Sequence, residues 1–360
     1  MPLDWLSDDS HLLLNPRMPG EERHLLESYV VELPAHVWLA TSGTTGALKL
    51  TALSKRALLA SAAAVNRHLE SDGGDLWYAV LPPFHVGGLG IHARAFLSGA
   101  RVVVAERWDA NAFAAATDVT LASLVPAQVS DLVTAGLQAP RQLRAIVVGG
   151  GALPEDLYRA GRELGWPLLP SYGMTETCSQ AATATLPTPE LVLLDHLEAR
   201  TEEDGRLAFR GESLLTGYAT AEGFHDPKRE GWFVTEDLGA VVNEGGVRYL
   251  TIEGRRGDFI KIGGESVDLG RLDAILASIA GLHAAVVAVP DARLGRVIHL
   301  AVEGSQDATA VASAYDARVH PFERARRVHV VSRIPRTSLG KLMRARLVEE
   351  IAAGLPKLME

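Results

Sequence analysis

Short hydrophobic runs alternate with amphipathic stretches along the first half of the chain. The run VWLAT (37–41) precedes a helical pattern over 52–69, and RAIVVGG (144–150) precedes another over 153–165. Three more runs have the same character: LWYAVLP (76–82), ARVVVAE (100–106) and TLASLVP (120–126). Such runs between helical patterns are typical of βαβ units, whose largely parallel strands are covered by helices. The pattern predicts an α/β fold.

The pattern changes after about residue 200, where RLAFRG, GWFVTEDLGAVV and RYLTIEGR read as short strands joined by turns. A glycine turn (263–264), a helix (about 269–280), the strand HAAVVAVP and a basic tail then form a compact last portion. The polar stretch GRRGD (254–258) separates the two. We therefore predict an N-terminal domain over residues 1–257, with mostly parallel sheets flanked by helices plus a small β-rich portion. A small α+β domain follows over residues 258–360.

Composition and charge narrow the function classes. The chain is 47% hydrophobic and 22% charged, as in ordinary globular proteins, and its formal net charge of −9 argues against a general nucleic-acid binder. The single cysteine, Cys178, excludes an intrachain disulfide, fits a reducing compartment and is read as a packing residue. The N-terminus lacks the pattern of a secretory signal, and no apolar run reaches the roughly 18 residues of a membrane span. These features predict a cytoplasmic protein that inserts into no membrane.

Two glycine-rich turns follow predicted strands. TSGTTGALK (41–49) comes after VWLA, and GGGALP (149–154) comes after RAIVV. Parallel sheets bind ligands beyond the carboxyl ends of their strands, and glycines and hydroxyls suit phosphate oxygens. TSGTTGALK is not a Walker loop, because Ala47 and Leu48 stand between Gly46 and the lysine. By itself it is equally compatible with a phosphate site and with an ordinary turn.

Four further segments complete a pattern. SYGMTETCS (171–179) combines a tyrosine that can stack on a base with a glutamate that can hold Mg²⁺. GWFVTEDLG (231–239), GRRGDFIKIGGE (254–265) and PRTSLGKLMR (335–344) follow in order. With these segments the chain resembles the adenylate-forming superfamily of acyl-CoA synthetases, peptide-synthetase adenylation domains and luciferases. The resemblance covers essentially everything from residue 37 to the end.

The resemblance implies a binding role for each segment. TSGTTGALK is similar to the family's phosphate loop, with hydroxyl donors and Lys49 as a mobile cation. GGGALP and SYGMTE are similar to its adenine-pocket and Mg²⁺ segments, TEDL to its ribose-binding segment, and GRRGDFIK to its hinge. The implied nucleotide-binding residues are Thr41, Ser42, Gly43, Thr44, Thr45, Gly46, Lys49, Gly150, Gly151, Ala152, Tyr172, Gly173, Met174, Asp237, Arg255, Lys261, Gly263 and Gly264.

The resemblance also implies a reaction in two steps. A carboxylate attacks the α-phosphate of ATP to give an acyl-adenylate and pyrophosphate, and a thiol, usually that of CoA, then displaces AMP. Lys341 corresponds to the lysine at the α-phosphate, where negative charge accumulates, although a solvated basic tail is the alternative. Glu176 corresponds to the Mg²⁺ ligand, and Thr175 precedes it in the catalytic loop. The implied cofactors are ATP, Mg²⁺ and CoA.

Other roles follow from the same resemblance. Tyr172 is expected against adenine, Asp237 on the ribose hydroxyls, and Arg255 on the ribose or a phosphate. Asp258 is the expected hinge about which a small, mobile C-terminal domain rotates. His85 matches a histidine beside the acyl pocket and is read as an orienting or gating residue. A surface salt bridge stays open for Asp237 and Arg255, and a core histidine stays open for His85.

Three stretches favour one subgroup. Residues 81–104, 123–133 and 257–267 look like those of the o-succinylbenzoate–CoA ligases of menaquinone biosynthesis. Arg94, in a predicted helix over 89–98, is expected to hold the second carboxylate of that acid, unless it is solvated on an outer helix face. The implied acid-binding residues are His85, Arg94, Ser171 and Ser179.

Departures from the family pattern leave alternatives open. Only about forty residues precede the phosphate loop, where family members generally have a hundred or more. Glu236 stands where many relatives have glycine, and Gly270–Asp273 replaces a glutamate-rich helix start. The alternatives are another aryl- or fatty-acyl-CoA synthetase, an acyl-AMP ligase that loads a carrier protein, and a nucleotide-binding relic without turnover. The expected partners are a carboxylic acid, ATP and CoA, without nucleic acid; a homo-oligomer is left open.

Overall fold

The computed structural model describes residues 3–42, 48–262, 265–291, 293–304, 306–337, 340 and 342–354. The chain divides into two compact units. The first unit comprises Met1–Thr235 and Gly239–Ile252, and the second comprises Glu236–Leu238 and Glu253–Glu360. This division falls about five residues before the predicted boundary at 257/258, and the functional roles assigned to the two domains stay predictions.

The first unit contains most of the regular structure. Its helices are α1 (Gly20–Tyr29), α2 (Lys55–Leu69), α3 (Val86–Ser98), α4 (Ala110–Ala114), α5 (Pro126–Thr134) and α6 (Glu155–Glu163). Its strands, of which the last two cross into the second unit, are β1 (His11–Leu13), β2 (His36–Ser42), β3 (Leu48–Ser54), β4 (Leu76–Ala79), β5 (Arg101–Val104), β6 (Leu121–Leu124), β7 (Ala145–Val148), β8 (Leu168–Met174), β9 (Ser179–Thr183), β10 (Leu191–Leu193), β11 (Leu197–Thr201), β12 (Arg206–Gly211), β13 (Gly217–Thr220), β14 (Gly223–His225), β15 (Phe233–Glu244) and β16 (Val247–Arg255).

Five of these strands form a parallel region, in the order β5-β4-β6-β7-β8, and all of them except β8 contain a predicted run. Successive side chains of a strand point to opposite faces, so each apolar run serves two cores. On β7, Ala145 and Val147 pack with α2 and α3, whereas Ile146 and Val148 pack with the core beside α4, α5 and α6. Both faces of β7 are therefore covered, which explains why its run is continuously hydrophobic. Beyond β8 the sheet continues through strands β9, β10, β16, β15, β12 and β11.

The remaining predicted run, VWLAT (37–41), lies in β2 and is not part of the parallel region, because β2 belongs to another sheet in the order β1-β2-β3-β13-β14. β2 pairs antiparallel with β3, with Thr41 opposite Lys49. The helix expected over 52–69 begins three residues later, at Lys55, because residues up to Ser54 continue β3. The Ser54 side chain accepts a hydrogen bond from the Ala57 backbone N–H and so caps the helix.

The second unit is a small α+β fold, as predicted. Its strands are β17 (Phe259–Ile262), β18 (Glu265–Asp268), β19 (Ala284–Asp291), β20 (Gly295–Glu303) and β21 (Arg327–Val331), and its helices are α7 (Leu269–Ala280), α8 (Ala308–Asp316) and α9 (Arg344–Gly354). Val286 of β19 packs in the core with α7 and α8, whereas its neighbour Val287 packs with α9. No helix within the described ranges of either unit has the length and apolar character needed to cross a bilayer.

Candidate active site

The structure brings a lysine, a carboxylate and a phenol together in the first unit. The Nζ of Lys49 lies 3.8 Å from Oε1 of Glu176 and 3.3 Å from the centroid of the Tyr218 ring. The Tyr218 hydroxyl donates a 2.6 Å hydrogen bond to the same Oε1. Thr41 lies opposite Lys49 in the strand pair, and its hydroxyl is 3.0 Å from that of Thr51. Two predicted nucleotide-binding residues and the predicted metal ligand are therefore adjacent.

Glu176 is presented by the tight connection between β8 and β9. Residues Thr175–Thr177 form a single 3-10 turn, and Cys178 and Ser179 follow with φ angles of 54° and 109°. Positive φ is costly for residues with a side chain, on the order of 1–3 kcal/mol each, and is concentrated at functional sites. A Cβ on Gly173 would lie 1.7 Å from the Ser179 carbonyl oxygen, so the two strands approach this closely only with glycine at that position.

Arg94 is buried in the middle of α3, with 2% of its surface exposed. Its Nη1 donates to the Ser123 hydroxyl at 3.3 Å and its Nη2 to the Ser179 hydroxyl at 3.2 Å. Its Nε has no hydrogen-bond partner, and no carboxylate lies within 4.0 Å of the guanidinium, among the described residues. Burial lowers the pKa of Arg94 to about 9. The alternative of a solvated arginine on an outer helix face is therefore wrong.

His85 stands at the N-terminal end of α3, nine positions before Arg94. It is half-buried beside Phe84, with the ring centroids 4.7 Å apart, and burial lowers its pKa. The helix can begin here because Gly88 has no side chain: a Cβ would lie 2.3 Å from the Pro82 carbonyl oxygen. The sequence PPFHVGG thus fixes His85 and Arg94 on one rigid element.

The predicted adenine-pocket segments lie side by side. β7 and β8 are adjacent, and the Ser171 hydroxyl donates to the Val148 carbonyl oxygen at 3.2 Å. Gly150 has a φ of 80°, and it opens the exposed turn that continues through Gly151 and Ala152. Tyr172 is half-buried with its ring 6.0 Å from that of Phe209. Met174 ends β8 directly before the turn that carries Thr175 and Glu176.

Two predicted nucleotide-binding residues and the predicted hinge residue lie within the second unit. Arg255 Nε is 3.5 Å from Asp237 Oδ1, which is the salt bridge left open as the alternative, and the nucleotide-binding roles of both residues stay predictions. Asp258, the predicted hinge, ends a 3-10 turn and accepts a 3.1 Å hydrogen bond from Arg344, which also pairs with Asp273. The role of Asp258 as a hinge stays a prediction.

Several predictions fall outside the described residues. They concern the catalytic Lys341, the phosphate-loop residues Gly43, Thr44, Thr45 and Gly46, and the turn residues Gly263 and Gly264. Ser42 ends β2 and Lys261 lies in β17, but their side chains are outside the described set. The roles of all these residues remain predictions.

Sequence reasoning missed two members of these clusters. Tyr218 was not singled out, because a tyrosine in a short strand carries no local sign of its partners. Ser123 interrupts the apolar run TLASLVP. A polar residue within a buried strand needs a hydrogen-bond partner, and this was the feature that could have pointed to Ser123. Cys178 behaves as predicted: it is buried, and burial together with the Glu176 carboxylate raises its pKa well above the usual range.

The donor set suits a magnesium ion shared with a nucleotide. Within the described ranges, no three His, Cys, Asp or Glu residues are grouped so that they would enclose a metal ion. Mg²⁺ characteristically binds one or two carboxylates together with substrate phosphates and water, rather than an all-protein cage. A single carboxylate, Glu176, beside the lysine and threonine of the strand pair matches that requirement.

Comparison with known proteins assigns the chain to a family. The model of the AMP-binding enzyme family matches residues 35–219, just over half of the chain. A 2-succinylbenzoate–CoA ligase of Bacillus licheniformis is 30% identical over 334 residues, covering 85% of this chain and 68% of that protein. A probable 2-succinylbenzoate–CoA ligase of Mycobacterium tuberculosis is 32% identical over 333 residues, covering 87% and 84%.

Solved structures agree with this assignment. The o-succinylbenzoate CoA synthetase of Bacillus subtilis in complex with the acyl-adenylate intermediate OSB-AMP has a TM-score of 0.77 and 28% identity, covering 86% of this chain and 68% of that one. The same enzyme with ATP and a magnesium ion also has a TM-score of 0.77, at 27% identity, covering 89% and 72%. The predicted resemblance and the α/β fold class are confirmed. The chain belongs to the family of AMP-binding enzymes.

Proposed function

We propose that this protein is an AMP-forming acid–CoA ligase that activates o-succinylbenzoate through an acyl-adenylate. The relatives named above carry this activity in their descriptions, and one is bound to OSB-AMP. The cluster of Lys49, Glu176 and Tyr218 supports the nucleotide half of the reaction. The choice of acid is supported by Arg94, whose guanidinium is buried and donates hydrogen bonds only to serine hydroxyls among the described residues. This observation carries the proposal.

The argument from Arg94 is electrostatic. A buried charge is stable only when it is paired and hydrogen-bonded, and two serine hydroxyls leave this guanidinium without a counter-charge among the described residues. The planar fork of arginine matches a carboxylate, to which it donates two charge-assisted hydrogen bonds. o-Succinylbenzoate has two carboxylates, of which one is activated. The other would supply the charge that Arg94 lacks.

The nucleotide site would bind ATP mainly by electrostatic contacts with its phosphate oxygens. When bound, Mg²⁺ supplies Lewis-acid stabilisation to the phosphate oxygens of ATP. Glu176 would hold the ion, and Lys49 would bind phosphate oxygens together with Thr41 and the other loop hydroxyls. Tyr172 and the 150–152 turn would enclose the adenine. His85, on the same helix as Arg94, would orient the acid. Burial lowers its pKa and so favours the neutral imidazole.

The second unit would complete the reaction. Lys341 would stabilise the charge that develops at the α-phosphate during adenylation. Asp237 and Arg255, already neighbours, would bind the ribose. Asp258 would serve as the hinge that moves Lys341 away before CoA displaces AMP. A cytoplasmic location and a CoA rather than carrier-protein acceptor are part of this proposal.

ATP–pyrophosphate exchange with a panel of acids tests the proposal. The panel contains o-succinylbenzoate, benzoate and a medium-chain fatty acid, each followed by a CoA-ester assay. Exchange that depends on o-succinylbenzoate and exceeds that with either monocarboxylate is the expected result. Exchange with a monocarboxylate alone would contradict the substrate assignment, and no exchange with any acid would contradict the activity itself.

A further inference from the structure

Tyr218 contacts both Lys49 and Glu176, and the contact with Lys49 follows from the geometry of the sheet. It is in register with Thr51 on the neighbouring strand β3. Lys49 is two residues before Thr51 and therefore projects from the same face of β3. Residues related in this way are diagonal neighbours across two strands, within reach of aromatic and long side chains. The strand pairing itself thus brings the Lys49 ammonium over the Tyr218 ring.

The two carboxylate oxygens of Glu176 differ in their contacts. Oε1 accepts the hydrogen bond of Tyr218 and is also the oxygen nearest to Lys49. No described residue donates a hydrogen bond to Oε2. One carboxylate oxygen is therefore anchored while the other is left for a cation. The Glu176 side chain is 15% exposed, so the ionised carboxylate depends on these contacts for its orientation.

We propose that Tyr218 is a positioning residue of the nucleotide site, with a separate role for each part of its side chain. The hydroxyl fixes Oε1 of Glu176 and so leaves Oε2 for the divalent cation that accompanies the nucleotide. The ring provides a seat for the Lys49 ammonium. The hydroxyl holds the carboxylate away from that ammonium, so that the lysine does not pair closely with Glu176. This inference rests on the proposed nucleotide site and adds to it a residue that acts through Glu176 and Lys49.

Binding of Mn²⁺ tests the role of the hydroxyl without catalysis. Free Mn²⁺ is measured by electron paramagnetic resonance in the presence of α,β-methylene-ATP, which cannot release pyrophosphate by the usual bond cleavage. Tyr218→Phe keeps the ring and should weaken Mn²⁺ binding about 10-fold, as expected for losing a hydrogen bond to a charged group. Affinity for the nucleotide in EDTA should change less than about twofold. Tyr158→Phe, on α6 and in a different core cluster, is the matched control and should bind like the unaltered protein.

A double-mutant cycle tests the link to Lys49. If the hydroxyl holds the carboxylate away from the ammonium, Tyr218→Phe should matter less when the ammonium is absent. In a Lys49→Met background its effect on Mn²⁺ affinity should therefore shrink at least about threefold, since contacting residues are coupled. Melting temperatures are measured for all variants to check that each one is folded. The single variant Lys49→Met serves as a control in which the Tyr218–Glu176 hydrogen bond stays in place.

The outcomes separate this inference from the proposed function. Absence of Mn²⁺–nucleotide binding in the unaltered protein would overturn the nucleotide site itself. Binding in the unaltered protein together with equal binding in Tyr218→Phe would overturn only the positioning role. Equal weakening with and without metal would show that Tyr218 merely packs the pocket. A Tyr218→Phe effect that persists undiminished in Lys49→Met would overturn the proposed separation of lysine and carboxylate.

Discussion

Arg94 donates a hydrogen bond of 3.2 Å to the hydroxyl of Ser179, which lies 85 positions further along the chain. Ser179 reaches the guanidinium because its backbone adopts a φ of 109° directly after the turn that carries Glu176. The acid-selecting arginine and the metal-binding carboxylate of the proposed enzyme are therefore linked through one short stretch of strained backbone. This arrangement leads to predictions for the acid, for the turn and for the second unit.

Replacement of Arg94 should affect only the acid. Arg94→Ala should raise KM for o-succinylbenzoate. The fall in kcat/KM should correspond to a loss of about 1.5–3 kcal/mol in transition-state stabilisation, the range for hydrogen bonds to a charged group. KM for ATP should stay nearly constant in steady-state kinetics. Arg67→Ala is the control, because Arg67 is exposed and pairs with Asp195 through two hydrogen bonds. Unaltered kinetics in Arg94→Ala would remove the main support for the substrate assignment.

The acid should also stabilise the fold through Arg94. A dicarboxylate that supplies the missing counter-charge should raise Tm, by an amount equivalent to about 2.7 kcal/mol at a hundred times its Kd. Benzoate, which lacks the second carboxylate, should raise Tm much less at the same concentration. Differential scanning fluorimetry of the protein and of Arg94→Ala measures both effects. A similar Tm increase in the variant would show that the carboxylate is held elsewhere.

Gly173 should be indispensable to the turn between β8 and β9. A Cβ at this position would lie 1.7 Å from the Ser179 carbonyl oxygen, so Gly173→Ala must displace one strand. We expect a loss of about 1–3 kcal/mol in the free energy of unfolding, as for other forced backbone shifts. Gly20→Ala is the matched control, because nothing lies within 4 Å of its added Cβ. Urea titration compares the two, and equal stabilities would refute the tight approach.

Lys341 should serve adenylation alone. Lys341→Ala should slow acyl-adenylate formation by at least about 100-fold, the scale for losing one preorganised electrostatic group. Thioester formation from supplied acyl-adenylate and CoA should survive. Arg346→Ala is the control, since Arg346 forms an exposed pair with Glu350 on α9. An equal loss in both half-reactions would contradict the proposal that Lys341 moves away between them.

Asp258 should be sensitive to backbone rigidity rather than to charge. Asp258→Pro should retain pyrophosphate exchange but lose overall CoA-ester synthesis, because a rigid hinge blocks one of two states. Asp258→Ala removes the contact with Arg344 but leaves the backbone free, and it should retain both reactions. Full ester synthesis in the proline variant would rule out the hinge, and loss of synthesis in both variants would assign the effect to the lost ion pair.

Much of the fold follows from local pattern. The apolar runs of β4, β6 and β7 are continuous because both faces of these strands are buried, and strands buried on both faces are hydrophobic at every position. The family was recognisable because backbone approach to a nucleotide restricts residue types over short segments, such as SYGMTE. The start of α2 was predicted three residues too early, because Ala52 and Leu53 suit a helix as well as a strand and only pairing with β2 extends β3 to Ser54.

The sequence by itself determined which residue types stand near one another along the chain: the carboxylate in its turn, the lysine after its glycines, the arginine within its helix. Only the tertiary structure decided what each of them touches. Tyr218 meets Glu176 across 42 positions, and Ser123 meets Arg94 across 29. These contacts depend on sheet order and strand register. Periodicity reports which face of an element is buried, but the identity of the buried partner is set by long-range packing.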